Sequence, residues 1–126
     1  MRQREETIKI WTDMWLGNDT MPMDAIFTED VVYTECWGNK YNGREEIRRW
    51  FADWHKNNSM ALWKVSEFIH QNDKTVVKWH MEAESADGIT TRALDGLYLV
   101  EWDSAGRIRY LEEYGAAPRK KQPYRG

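Results

Sequence analysis

The stretch FTEDVVYTECWG, residues 27–38, decides how the rest of the chain is read. Its first half runs through Val31, Val32, Tyr33 and Thr34, the β-branched and aromatic types that suit a pleated strand. Its second half sets Glu35 among apolar and aromatic neighbours. Alternation along a strand puts Tyr33, Glu35 and Trp37 on one face and Val32, Thr34 and Cys36 on the other. A carboxylate in that position either points at water or is kept dry for a chemical purpose.

Working outward, EETIKIWTDMWLGND (5–19) spaces Ile8, Trp11 and Trp15 three and four residues apart, with Ile10 and Met14 beside them. That spacing predicts an amphipathic helix ending near Gly17-Asn18. TMPMDAIFTED (20–30) predicts a second, short helix, with Thr20 as N-cap and Pro22 in the first turn. NGREEIRRWFADWHKN (42–57) carries Ile47, Trp50, Phe51 and Trp54 on one helical face, a third helix. Four strands follow, ALWKVSEFIH (61–70), TVVKWHMEAES (75–85), TTRALDGLYLVEW (90–102) and RIRYLEEY (107–114), parted by the turn signals QNDK, ADG and DSAG. The order ααβαββββ predicts an α+β fold, a curved antiparallel sheet wrapped around helices on one face. There is no internal repeat or linker, so residues 1–116 form a single domain and 117–126 a basic, flexible tail.

A chain of 126 residues, 41% hydrophobic and 31% charged, can bury a core without disulfide or metal staples. Eight Trp, six Tyr and three Phe exceed what so small a core needs, which predicts that some of them line a pocket, with core and dimer-interface packing as the alternative for any single Trp. The net charge of −3 hides an uneven division, because the tail holds four bases and no acid while the body has seven more acids than bases. An acidic body excludes duplex nucleic acid as main partner. Cys36, the single cysteine, has no internal partner, and no leader-like or membrane-spanning apolar run occurs, so a cytoplasmic protein without membrane contact is expected.

Candidate chemistry is sparse. No histidines stand at metal-ligand spacing, and neither a Gly-rich phosphate loop nor a GxSxG elbow is present, so no metal and no cofactor are expected. Alternation places His80 with Lys78, Glu82 and Glu84 on a polar face, reads His70 as exposed, and turns Asp95 outward unless a bulge at Gly96 reverses it. Val77, Trp79, Met81 and Ala83 make an apolar face, as do Tyr98, Val100 and Trp102. On the last strand the register stays open, with Glu112 and Tyr114 as inward candidates.

The element order, the FTEDVVYTE entry to the first strand, NGREEIRRWF at the third helix and SAGRIRYLEEY near the end resemble the nuclear transport factor 2-like superfamily. Within it the chain is similar to SnoaL-like and ketosteroid isomerase-like proteins over residues 5–115. The resemblance implies a cone-shaped sheet around three N-terminal helices, a hydrophobic pocket, and a homodimer through the outer sheet face, where Leu97 and Leu99 alternate outward. It puts Glu35 where the isomerase-like proteins carry a carboxylate general base. Trp11 falls where they have an oxyanion-donating tyrosine, and Tyr98 where they keep a protonated acid; only the base retains its chemical type. Trp37, Trp79 and Trp102 would wall the substrate, with Trp15, Tyr33 and Met81 as further contacts. Arg92 is either a substrate contact or an ion-pair partner of Glu35. The implied function is proton transfer on an apolar carbonyl compound by an isomerase, polyketide cyclase or dehydratase. A non-catalytic small-molecule binder and a limonene-epoxide-hydrolase-like enzyme are the alternatives.

Overall fold

The computed structural model describes residues 2–20 and 22–125; Met1, Met21 and Gly126, and with them the outer limits of the predicted domain and tail, lie outside the described residues. Helix α1 (Arg2–Gly17) buries Ile8, Trp11, Met14 and Trp15 along one side. It stops where Asn18 takes the left-handed φ of 54°, a conformation that asparagine tolerates better than most residues. Helix α2 (Met23–Ile26) is one turn long, with Pro22 rather than Thr20 at its N-cap and no capping side chain. Helix α3 (Arg44–Asn57) is tied to α2 through Asp24, which forms an ion pair with Arg44 at 3.1 Å and accepts from Arg48 at 2.7 Å.

Six strands form one curved, unclosed sheet: β1 (Phe27–Thr34), β2 (Lys40–Asn42), β3 (Asn58–Gln71), β4 (Lys74–Ser85), β5 (Thr91–Trp102) and β6 (Ile108–Ala116), in the order β2-β1-β6-β5-β4-β3. The strand β2 is an addition to the expected order, too short and too polar to be read from its residues. One pairing departs from the antiparallel expectation. β1 runs parallel to β6, with Tyr33 opposite Leu111 and Thr34 opposite Glu112.

The core is aromatic. Trp11 is fully buried, with the rings of Trp15, Phe27, Tyr33, Trp50 and Phe51 at centroid distances of 4.9–6.5 Å around it. The first three contacts are edge-on, the geometry that the ring quadrupole favours. Trp79, Tyr98 and Trp102 face inward from β4 and β5, as their alternation predicts.

Alternation fails on β6. Glu101 pairs with Tyr110 but Trp102 pairs with Ile108, so the strand carries a bulge between them. Ile108 and Leu111, an odd number of positions apart, are therefore both buried, and Glu113 follows them inward. Glu112 and Tyr114 face out. Asp95 faces out too, where it accepts from His80 Nδ1 at 2.7 Å while Glu82 meets Nε2 at 2.8 Å. His70 is not exposed as expected but half-buried between Thr75 Oγ1 and Glu5, each at 2.8 Å.

Gly96 stands opposite Trp79 on β4, and a Cβ there would lie 2.3 Å from the indole ring. The ring needs that vacancy to lie flat against β5. Gly96→Ala is expected to destabilise the fold by about 1–3 kcal/mol through overpacking, read as a lower denaturant midpoint. Combining it with Trp79→Leu should recover part of the loss, and equal midpoints for wild type and Gly96→Ala would contradict the close approach.

Candidate functional site

The parallel pairing of β1 with β6 has a chemical consequence. Thr34 lies opposite Glu112, so the residues that follow, Glu35 and Cys36 after β1 and Glu113 on β6, arrive together at one end of the sheet. β1 ends at Thr34, and a tight turn closes immediately, with Gly38 N–H donating to Glu35 O at 3.0 Å and Glu35 N–H to Asn39 O at 2.8 Å. Glu35 therefore leaves the strand's alternation. Its carboxylate accepts from the Tyr41 hydroxyl of β2, and the Tyr41 ring is stacked on Trp50 at 4.5 Å and 14°.

Glu35 and Glu113 both line a cavity of about 810 Å³. Its sheet wall is Met60, Trp63, Met81, Ala83 and Leu94. One face of α3 supplies Glu46, Arg49, Trp50, Asp53 and Trp54, and Trp15 closes the gap between the two. Trp37 and Arg92 stand at the same cavity from the β1–β2 turn and from β5. The Arg92 guanidinium lies 5.5 Å over the Trp37 ring. Arg92 forms no ion pair with Glu35; the indole holds it instead.

Glu113 is the buried carboxyl of the site, 9% exposed. Burial pushes its pKa from the ordinary 4.5 up to about 7, and the charge of Glu35 adds to the rise. The Cys36 N–H donates to Glu113 Oε1 at 3.3 Å, a long bond that opposes the rise without cancelling it. The Cys36 thiol is pushed up to about 12 by burial and by Glu113, so it stays protonated and is no nucleophile near neutral pH.

Of the residues singled out in the sequence, Glu35, Trp15, Trp37, Met81 and Arg92 come together at this cavity. Trp11, Tyr33, Trp79 and Tyr98 do not; they are buried in the layer behind it. Burial, with the charge of Glu113, raises the pKa of both the Tyr33 and Tyr98 hydroxyls, which interact with each other and with the Trp11 indole without closing a hydrogen bond of good geometry. Trp102 lies away from the cavity, its Nε1–H donating to Thr75 Oγ1 at 2.8 Å and its ring under the Arg4 guanidinium. Those five therefore stand apart from the cavity wall where they were expected: flat rings on α1 and on the inner sheet face fill the core before they reach the cavity. The sequence reading missed Glu113, Tyr41, Trp50, Trp54 and Trp63 as site residues. The helical stripe of α3 contained a signal for Trp50 and Trp54; for Glu113 the bulge removed it. Among the described residues no cluster of His, Cys, Asp and Glu is arranged to hold a metal, and no helix is long and apolar enough to cross a membrane.

A helix-backed, curved sheet with a cavity at one end defines the nuclear transport factor 2-like class. The SnoaL-like domain family matches residues 8–111, and the chain belongs to it. No curated protein matches in sequence. Solved structures match in fold. A protein from Catenulispora acidiphila with a ketosteroid isomerase-like fold, crystallised with trimethylamine, superposes with a TM-score of 0.76 at 18% identity, over 86% of this chain and 84% of that one. An epoxide hydrolase of the LEH-like type from M. tuberculosis gives 0.79 at 13% identity, over 91% and 84% of the two chains. A Bacillus subtilis protein with a provisional isomerase name gives 0.79 at 13%, over 91% and 87%.

The Glu113 shift makes stability depend on pH. The folded-state value lies above the unfolded one, so the group's contribution is complete below pH 4.5 and is lost as pH rises through about 7. Wild type is expected to lose up to about 3 kcal/mol relative to Glu113→Gln across that window, measured by urea unfolding at several pH values. Parallel pH profiles for the two proteins would remove the buried carboxyl from the account.

Proposed function

We propose that the protein is a small cofactor-independent enzyme that moves a proton on an apolar carbonyl substrate. The observation that carries this reading is the pair of carboxyl groups at one aromatic cavity: Glu113, dry and protonated up to about pH 7, and Glu35, held by Tyr41. Two like groups in unlike surroundings divide into an acid and a base. Glu35 takes the proton from the carbon beside the carbonyl, and the C–H electron pair moves through the new C=C bond onto oxygen. The undissociated Glu113 hydroxyl donates to that oxygen as its negative charge develops. Glu35 then returns the proton to the γ carbon of the dienolate that a β,γ-unsaturated substrate forms, so that a double bond shifts and nothing else is consumed. The donor role expected for Trp11 and Tyr98 passes to Glu113, with the two rings behind it excluding water.

A second reading has its own support. Two carboxyls and Arg92 at one cavity also suit activation of water against an apolar epoxide. A binder without turnover remains the third reading, because an aromatic cavity of this size holds small molecules by burial alone. We also propose a homodimer through the outer sheet face. There Ile69, Val76 and Leu99 form one apolar rung and Leu97 and Tyr114 the next, with Ile69, Leu97 and Tyr114 exposed.

Absorbance of the conjugated enone formed from β,γ-unsaturated ketones tests the enzyme reading. Glu35→Gln is expected to lower kcat by about 10²–10⁴-fold and Glu113→Gln by about 10²–10³-fold. Wild-type activity should decline as pH rises through about 7 and the acid ionises. Wild-type rates in both variants would sink this mechanism, and diol formation from epoxides without any enone product would transfer the site to the second reading. For the dimer, sedimentation should show Leu97→Lys shifting toward monomer; a monomeric wild type at micromolar concentration would dispose of the interface.

A further inference from the structure

The wall of the cavity has a chemical bias that proton transfer does not require. Trp15, Trp37, Tyr41, Trp50, Trp54 and Trp63 line it, six aromatic side chains around one space. Five acidic side chains line it as well, Glu35, Glu46, Asp53, Glu84 and Glu113, against the two bases Arg49 and Arg92. One of those bases already lies 5.5 Å over the Trp37 ring, so an aromatic face of this cavity holds a cation in the structure itself. An apolar neutral substrate would gain nothing from the carboxylates at positions 46, 53 and 84, which play no part in the proton step.

On α3 the bias is organised. Glu46, Arg49, Trp50, Asp53 and Trp54 fall on one helical face, two carboxylates and two indoles against a single base along the wall. Asp53 is paired with Lys56 at 3.3 Å, an exposed couple that solvent screens heavily. Glu46, also at the wall, accepts from the Asn42 N–H at 2.8 Å. The ring faces attract a cation by their quadrupole, the more so as water is excluded, and the carboxylates add a field of the same preference. We infer that the cavity takes an organic cation, a substrate bearing a protonated or methylated amine. The ammonium group lies against Trp50 and Trp54 on the α3 wall, and the reacting end reaches Glu35 and Glu113. The inference rests on the reading of this cavity as the substrate site, and it adds the class of molecule admitted.

Three isosteres of graded charge provide the test: choline, its neutral carbon analogue 3,3-dimethylbutan-1-ol, and the anion 3,3-dimethylbutanoate, titrated against the full chain by calorimetry and tryptophan fluorescence. Choline is expected to bind at least about tenfold tighter than the alcohol, and the anion most weakly. Added salt should weaken the choline affinity and leave the alcohol unchanged. Asp53→Asn and Trp54→Leu should each reduce choline affinity about fivefold or more, and Asp53→Asn should weaken choline more than it weakens the alcohol. Equal affinity for cation and alcohol, preference for the anion, or no saturable choline binding up to about 10 mM would each overturn the inference. Binding is read without turnover, so the two readings fail separately. A cation preference in a protein that turns over no ketone keeps this inference and removes the enzyme. Turnover of neutral ketones without cation preference does the reverse.

Discussion

The structure depends on wide, flat side chains packed edge to face between the helices and the inner face of the sheet. Trp11 is the centre of that packing, and its neighbours come from α1, β1 and α3, so one indole couples three elements that are distant in the chain. Trp15 and Trp50 belong at once to this packing and to the wall of the cavity. Rings of that size cannot pack as closely as aliphatic side chains without matched vacancies. Gly96 beneath Trp79 is one such vacancy. The cavity bounded by the remaining aromatic faces is the larger space that the same packing leaves open.

Two details of backbone pairing convert this scaffold into a site. The parallel alignment of β1 with β6 brings the end of one strand to the middle of the other, and the bulge on β6 turns Glu113 rather than Glu112 toward the interior. Neither detail involves the carboxyl groups themselves. Once they are together, desolvation dominates. Burial and the charge of Glu35 raise the Glu113 pKa, one long bond from Cys36 N–H lowers it, and the balance falls near neutrality. Glu35 accepts from the Tyr41 hydroxyl, whereas Glu113 has its donors from Cys36.

The outer face follows different physics. His80 sits between Glu82 and Asp95, and both carboxylates raise its pKa, first through Glu82. This network lies across the sheet from the cavity, and Lys120 of the basic tail approaches Asp95 at 3.9 Å. Charge on that side is solvated. At the cavity Glu113 is largely dry, which is why a carboxyl there is shifted toward neutrality while those on the outer face stay solvated.

The element order, the α+β class, the helix ends near Gly17-Asn18 and Asn57, and the inward faces of β4 and β5 were legible in the chain, because period 3.6 and period 2 are local properties. Glu35 was legible too, as a carboxylate among aromatic residues at a strand's end. The sequence by itself did not determine which aromatic side chains face the cavity. Tyr33, Trp79 and Tyr98 share the inner side with Trp63 and Met81, and depth along a curved sheet is a property of the assembled sheet, not of alternation. Nor did it determine Glu113, since a bulge shifts parity by one residue and is set by the pairing of β5 with β6. Tertiary structure alone decided which carboxyl lost its water, because desolvation comes from atoms that are remote in the chain and close in space.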